Sequence, residues 1–238
     1  MVTRPITAAD IPHNFVSTLD VSVHKPNTTL TEIKELCKIG LQEGFNVISN
    51  SVFTKFVRQY VGSSAPILVG ATVGFPFGTA STFAKAIEAQ RAVEDGAEEV
   101  DMVLAVGLLR EGQAYFDDVR EDVRAVVDAV HKAGGITTKV IIETCYLTEA
   151  EKEIACQLVT EAGAEFIKTS TGYGPKGATL EDVRLMRRFS GPQVKVKAAG
   201  GIRTLAQCLD YLEAGVVRLG IGLPAALAIL EEVRTLRS

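Results

Sequence analysis

Four apolar runs of strand length carry charge at alternating positions. Glu99 and Asp101 fall within residues 98–105, Lys139 and Glu143 within 137–143, Lys168 within 165–170, and Lys195 and Lys197 within 194–198. Side chains alternate between the two faces of a strand, so Val100, Met102 and Leu104 share one face while Glu99, Asp101 and Val103 share the other. The same parity groups Thr137, Lys139, Ile141 and Glu143, then Phe166, Lys168 and Ser170, then Lys195 and Lys197. A buried, unpaired lysine or carboxylate costs several kcal/mol, so such charges must be paired, solvated or functional.

Lysine pairs carry a specific chemical option. An ammonium with a pKa near 10.4 is a poor nucleophile at neutral pH. A second ammonium at ~6 Å, in an effective dielectric of ~20, disfavours it by about 2.8 kcal/mol, roughly two pKa units. Burial pushes the same way. A neutral lysine with a carboxylate to move protons can form an imine with a carbonyl compound and pass through carbinolamine and enamine stages. Asp101, Lys168 and Lys197 are candidates for that chemistry, with a structural ion network as the alternative. Glu99, Lys139 and Lys195 sit earlier in their strands and read first as structural.

The elements that position these residues repeat along the chain. Strand-length runs are read near residues 16–21, 45–49, 67–73, 98–105, 137–143, 165–170, 194–198 and 217–220, with helical periodicity between them. Thr148 and Thr179 precede acidic first turns as helix N-caps, and Gly44, Gly96, Gly134, Gly163 and Gly215 stand where helices should stop. Eight βα units predict an α/β fold, a single (β/α)8 barrel over residues 1–238 with a short N-terminal extension of about 1–14. Active sites of such barrels lie at the C-terminal ends of the strands, the side on which Asp101, Lys168 and Lys197 are expected.

Two glycine clusters follow the last strands: Gly200-Gly201-Ile202-Arg203 after the seventh and Gly220-Ile221-Gly222 at the eighth. Loops in this position commonly hold phosphate, because glycine lets backbone N–H groups approach an anion; tight turns are the alternative. Gly172-Tyr-Gly174-Pro-Lys-Gly177 formally matches a dinucleotide fingerprint, but the next strand ends in Lys197 where an acidic residue is required.

Bulk properties exclude other classes. The 238 residues carry a net charge of -4 without a basic stripe, which argues against nucleic acid as a partner. Cys37, Cys145, Cys156 and Cys208 have no CxxC spacing and read as reduced thiols. His13, His24 and His131 are scattered and read as surface or capping residues, so no metal site is expected. No signal-like or bilayer-length apolar segment is present, and a soluble, cytoplasmic protein without a membrane partner is expected.

The segment Phe166-Ile-Lys168-Thr-Ser-Thr171-Gly172 resembles the FIKTSTG motif of the deoxyribose-phosphate aldolase family, and Lys197-Ala-Ala-Gly200-Gly201-Ile-Arg203 resembles its KAAGGIR segment. Asp95-Gly-Ala-Glu-Glu-Val-Asp101-Met-Val is similar to DGADEIDMV, and Val73 to Gly78 and Lys139 to Cys145 also match. The likeness spans about residues 16–222. It implies reversible cleavage of 2-deoxy-D-ribose 5-phosphate to acetaldehyde and D-glyceraldehyde 3-phosphate, with no cofactor and with self-association as a homodimer or larger homo-oligomer. By position, Lys168 forms the Schiff base, Lys197 depresses its pKa and Asp101 manages protons. Substrate contacts fall on Asp20, Ser22, Thr171 and Gly172, with Gly172, Gly200, Gly201, Arg203, Gly220 and Gly222 around the phosphate. The alternatives are a related Schiff-base aldolase with another substrate and a non-catalytic phosphosugar-binding barrel.

Three departures stand out. Asp20-Val-Ser22 replaces the usual Asp, variable residue, Thr; the second strand keeps Asn50 but loses a cysteine; and Ile221 and Gly222 replace a Thr and a Ser after the last glycine. With two hydroxyls missing, phosphate contacts fall to backbone N–H groups and Arg203. Discrimination against unphosphorylated 2-deoxyribose should therefore be weak. Comparing kcat/KM for the two sugars tests this, and a preference for the phosphate of many thousandfold contradicts it.

Overall fold

The computed structural model describes residues 5–238. Eight parallel strands close into a barrel in sequence order: β1 (Leu19–Val23), β2 (Asn46–Asn50), β3 (Val69–Val73), β4 (Glu99–Val103), β5 (Thr137–Ile141), β6 (Phe166–Lys168), β7 (Lys195–Ala199) and β8 (Arg218–Gly222). Around them run α1 (Leu30–Glu43), α2 (Thr54–Val61), α3 (Thr82–Glu94), α4 (Val106–Arg110), α5 (Phe116–Lys132), α6 (Glu149–Glu161), α7 (Leu180–Phe189), α8 (Leu205–Glu213) and α9 (Leu223–Arg237). This is the (β/α)8 barrel expected from the alternation of periods.

Strand edges differ from the sequence reading by up to three residues. Val16–Thr18 forms a 3-10 turn and β1 starts at Leu19, three residues later than expected. The sixth strand keeps only three residues, and just beyond it the Thr169 hydroxyl donates to the Ala199 carbonyl at 3.1 Å. Residues 1–4 of the expected N-terminal extension lie outside the described residues. Within its remainder Ile11 is buried, and just after it so is Phe15, while Arg237 of α9 donates to the Pro12 carbonyl at 3.0 Å.

The helix ends follow local chemistry. Thr148 accepts from the Glu151 N–H in a reciprocal capping box, and Thr179 accepts from the Asp182 N–H at 3.0 Å. Gly96, between α3 and β4, has φ +106, and a Cβ there would meet the Arg58 side chain at 2.5 Å, so only glycine fits the turn.

Parity sorts the strand residues as expected. Val21, Val47, Val69, Val100, Met102, Val140, Ile167, Val196 and Leu219 belong to one apolar cluster between sheet and helices. The other face turns inward and holds Asp20, Glu99, Asp101, Lys139, Lys168 and Lys197, all buried. Lys195 departs from this set. As the first residue of β7 it is exposed, and its ammonium lies 5.6 Å from the centroid of the Phe166 ring. At the N-terminal mouth of the barrel water can solvate it, so no ion network is required of it.

One buried ion pair lies in the helical layer. Lys85 of α3 reaches Asp122 of α5 at 2.7 Å and also donates to the Val103 carbonyl at 3.0 Å. Breaking a pair this deeply buried costs about 3–5 kcal/mol, since the remaining charge has no solvent. The pair ties α3 and α5 to the end of β4 and so fixes the strand that carries Asp101.

Candidate active site

The inward charges form one connected network. Lys168 (β6) and Lys197 (β7) approach the same oxygen of Asp101 (β4), at 2.7 and 2.8 Å. Lys139 (β5) holds the other Asp101 oxygen at 2.9 Å and Glu99 at 2.7 Å. Lys197 also reaches Asp20 (β1) at 2.5 Å, and Arg218 (β8) binds Asp20 at 2.8 Å and Glu99 at 3.2 Å. The register explains the convergence: Lys168 pairs with Lys197 across β6 and β7, and Asp101 pairs with Lys139 across β4 and β5.

The signs do not balance when every group is ionised. Three carboxylates, Asp20, Glu99 and Asp101, face four cations, Lys139, Lys168, Lys197 and Arg218. One neutral amine restores balance in a region where net charge is expensive. Lys168 is the member with the weakest hold, and its pKa is lowered to about 8: burial disfavours the ammonium most, and Lys197 and Lys139 repel it, against the attraction of Asp101. Burial, not the neighbouring lysine, is thus the larger cause. Lys139 moves the opposite way. Burial opposes its charge, yet Asp101, Asp20 and Glu99 together raise its pKa. Burial would raise the Asp101 carboxyl, but Lys139, Lys168 and Lys197 hold it well below the usual carboxylate range.

Lys168 stands at the floor of a cavity of about 590 Å³ that opens at the C-terminal ends of the strands. Of the residues singled out from the sequence, Asp20, Ser22, Thr171, Gly172, Lys197, Gly200, Gly201, Gly220 and Gly222 line the same cavity. Asp101 lies beneath it as the anion under both lysines. Asp20 is nearly fully buried and engaged by Lys197, Arg218 and Asn46. Arg203 is exposed and outside the cavity lining, and its backbone N–H donates to Gln207 at 2.8 Å.

Thr171 is held rather than free. Its hydroxyl donates to Glu143, its N–H lies 3.2 Å from both oxygens of the same carboxylate, and its oxygen accepts from the Tyr173 N–H at 3.0 Å. Glu143 adopts φ +50, a left-handed conformation uncommon for a non-glycine residue. Gly200 and Gly201 have φ +85 and +78, the kind of turn in which successive N–H groups can converge on an anion.

Sequence reasoning missed three residues here. Arg218 shares its strand face with Gly220, and that parity could have placed it in the lumen. Glu143 was grouped with the inward face of β5 but not given its role as the anchor of Thr171. His24, read as a surface or capping residue, instead lines the cavity; no spacing in the sequence marks it. Among the described residues, no group of three His, Cys, Asp or Glu side chains is arranged to hold a metal ion.

The fold and the inward-facing site define a barrel enzyme whose reactive end is the C-terminal mouth. The model of the DeoC/LacD family aldolases matches residues 14–228, and the chain belongs to that family. Among its relatives, the deoxyribose-phosphate aldolase of Thermococcus gammatolerans is 48% identical over 198 residues, covering 82% of this chain and 87% of that protein. The deoxyribose-phosphate aldolase of a Thermoanaerobacter species (strain X514) is 44% identical, covering 94% and 99%. Two solved structures are also similar. The aldolase QR15 shares 34% identity at a TM-score of 0.85, covering 94% of this chain and 97% of that one. The deoxyribose phosphate aldolase of Aeropyrum pernix, described as tetrameric, shares 27% at 0.82, covering 93% and 91%.

The ionisation of Lys168 has a measurable consequence. Below its pKa of about 8 the amine is protonated and inert; above it the amine is free. Imine formation should rise through pH 8 and then level off. Because the Lys197 cation lowers this pKa, Lys197→Met should move the inflection to higher pH. Trapping rates measured from pH 6 to 10 check both, and an inflection left in place by the substitution contradicts the coupling.

Proposed function

We propose that this protein catalyses the reversible aldol cleavage of 2-deoxy-D-ribose 5-phosphate to acetaldehyde and D-glyceraldehyde 3-phosphate. The observation that carries this reading is Lys168, a buried amine of lowered pKa at the floor of the cavity. The names of the relatives, at 44% to 48% identity, supply the substrate.

In the cleavage direction the neutral Lys168 amine attacks C1 of the open-chain sugar and loses water to form an iminium ion. Loss of the C3 hydroxyl proton breaks the C2–C3 bond, releasing glyceraldehyde 3-phosphate and leaving an enamine. Protonation at C2 and hydrolysis then release acetaldehyde and the free amine. Burial, helped by the Lys197 charge, favours the neutral Lys168 amine between cycles, and Asp101 lies against both nitrogens to pass protons. The sugar phosphate is assigned to the amides around Gly172, Gly200, Gly201, Gly220 and Gly222. Arg203 joins them only if its exposed side chain folds over the mouth. Ser22 lines the cavity on β1, the strand paired with β8, in register with Gly222. The chemistry needs no metal or organic cofactor.

Residues 1–238 act as one catalytic domain in this reading. Among the described residues no helix is long and apolar enough to cross a membrane, and we assign the enzyme to the cytoplasm. We also infer a homodimer or larger homo-oligomer, supported by exposed apolar side chains near the β3 loop and along α3: Phe77, Phe83 and Ile87, at 74%, 77% and 49%. Sedimentation velocity should show an assembly that Phe83→Glu weakens; a monomer at micromolar concentration contradicts it.

Borohydride reduction in the presence of acetaldehyde tests the central claim. An ethyl group on Lys168, found by peptide mass spectrometry and absent from Lys168→Leu, is the expected result. The absence of any adduct points instead to a non-catalytic barrel. Trapping only with other carbonyl compounds points to an aldolase of different substrate.

A further inference from the structure

His24 is a titratable side chain in the cavity that the steps above leave unused. It follows the last residue of β1, on the mouth side of the layer that holds Lys168 and Lys197. Its ring packs on Phe75 at 4.9 Å between centroids, and Phe75 meets the edge of Tyr173 at 5.6 Å. The Tyr173 hydroxyl donates to the His24 backbone carbonyl at 2.8 Å, tying the β1 and β6 loops together across the cavity mouth. The ring is thereby held in place by neighbours that make no use of its nitrogens.

Those nitrogens are unevenly provided for. Asn50 interacts with the ring, and Nδ1 is buried with no hydrogen-bond partner. A buried polar atom left without a partner is destabilising. His24 lines the cavity, so a ligand hydroxyl that reaches the ring edge would relieve this cost. The imidazole also remains uncharged: burial first, then the nearby Lys168, lowers its pKa to about 3. A neutral ring beside an iminium ion adds no repulsion and offers a directed hydrogen bond.

We propose that His24 is a specificity residue that hydrogen-bonds a hydroxyl on the acceptor half of the substrate, the group adjacent to the carbon that becomes the aldehyde. Its place on the mouth side of Lys168 puts it beyond the bond that breaks, alongside the departing fragment. The ligand class it selects is a 2-hydroxyaldehyde over a simple alkanal. This rests on the aldolase reading of Lys168.

The test runs the reaction in the synthetic direction, with acetaldehyde as donor and either lactaldehyde or propanal as acceptor, which differ by that one hydroxyl. The wild-type enzyme should favour lactaldehyde in kcat/KM. His24→Leu, apolar and compatible with Phe75, should reduce that ratio about tenfold, the value of one hydrogen bond. His24→Asn, which keeps a polar atom near the position of Nδ1, should recover part of it. Acetaldehyde trapping on Lys168 should be the same in all three proteins. An unchanged ratio in His24→Leu, or an equal fall with both acceptors, overturns the proposal. Loss of trapping in His24→Leu alone makes the residue a support for the imine and overturns it as well. A wild-type protein that does not trap acetaldehyde removes the aldolase reading itself.

Discussion

One carboxylate, Asp101, sits fully buried against three lysine nitrogens, and the arrangement of the barrel interior follows from it. Buried charges of like sign cannot share so small a volume without an anion between them. Asp101 supplies that anion, contacting Lys139 through one oxygen and both Lys168 and Lys197 through the other. Glu99, Asp20 and Arg218 complete the set below and beside it. The network is structural and chemical at once. It ties six strands together, β1 and β4 through β8, and leaves one cation more than it can neutralise.

That surplus settles on the lysine nearest the cavity. Lys139 lies deepest and is bound by three carboxylates, so its charge is secure. Lys197 has Asp101 and Asp20. Lys168 has one oxygen of Asp101, already shared, and it is shifted toward the neutral amine. Lys139 and Lys168 therefore shift in opposite directions, in step with the number of carboxylates each nitrogen reaches. The helical layer contributes through Lys85 and Asp122, which anchor the end of β4.

Above the charged floor the mouth is built from loops that hold one another. Glu143 fixes Thr171 by three contacts, and Tyr173 reaches across to the end of β1. Thr171, whose hydroxyl proton is committed to Glu143, can only accept from a ligand. At the end proposed for the phosphate, Gly222 brings no hydroxyl and Pro224, near the start of α9, brings no N–H, so less is available there for an anion.

Much of this was legible from residue order, because two periodicities carry it. Strand alternation separates Val100 and Met102 from Glu99 and Asp101, and the eightfold return of a strand-length run before each helix leaves a closed barrel as the simplest parallel sheet. Parity likewise placed Lys168 and Lys197 on inward faces, and local motifs marked the helix caps at Thr148 and Thr179. What only the tertiary structure decided depends on distances across the barrel. Partners 96 and 177 residues away fix which oxygen Lys197 reaches. That burial outweighs ammonium repulsion at Lys168, that Arg203 stands outside the cavity and that His24 stands inside it have no local signature. They follow from how strand tilt and loop packing bring remote side chains together, and a linear pattern does not encode that contact.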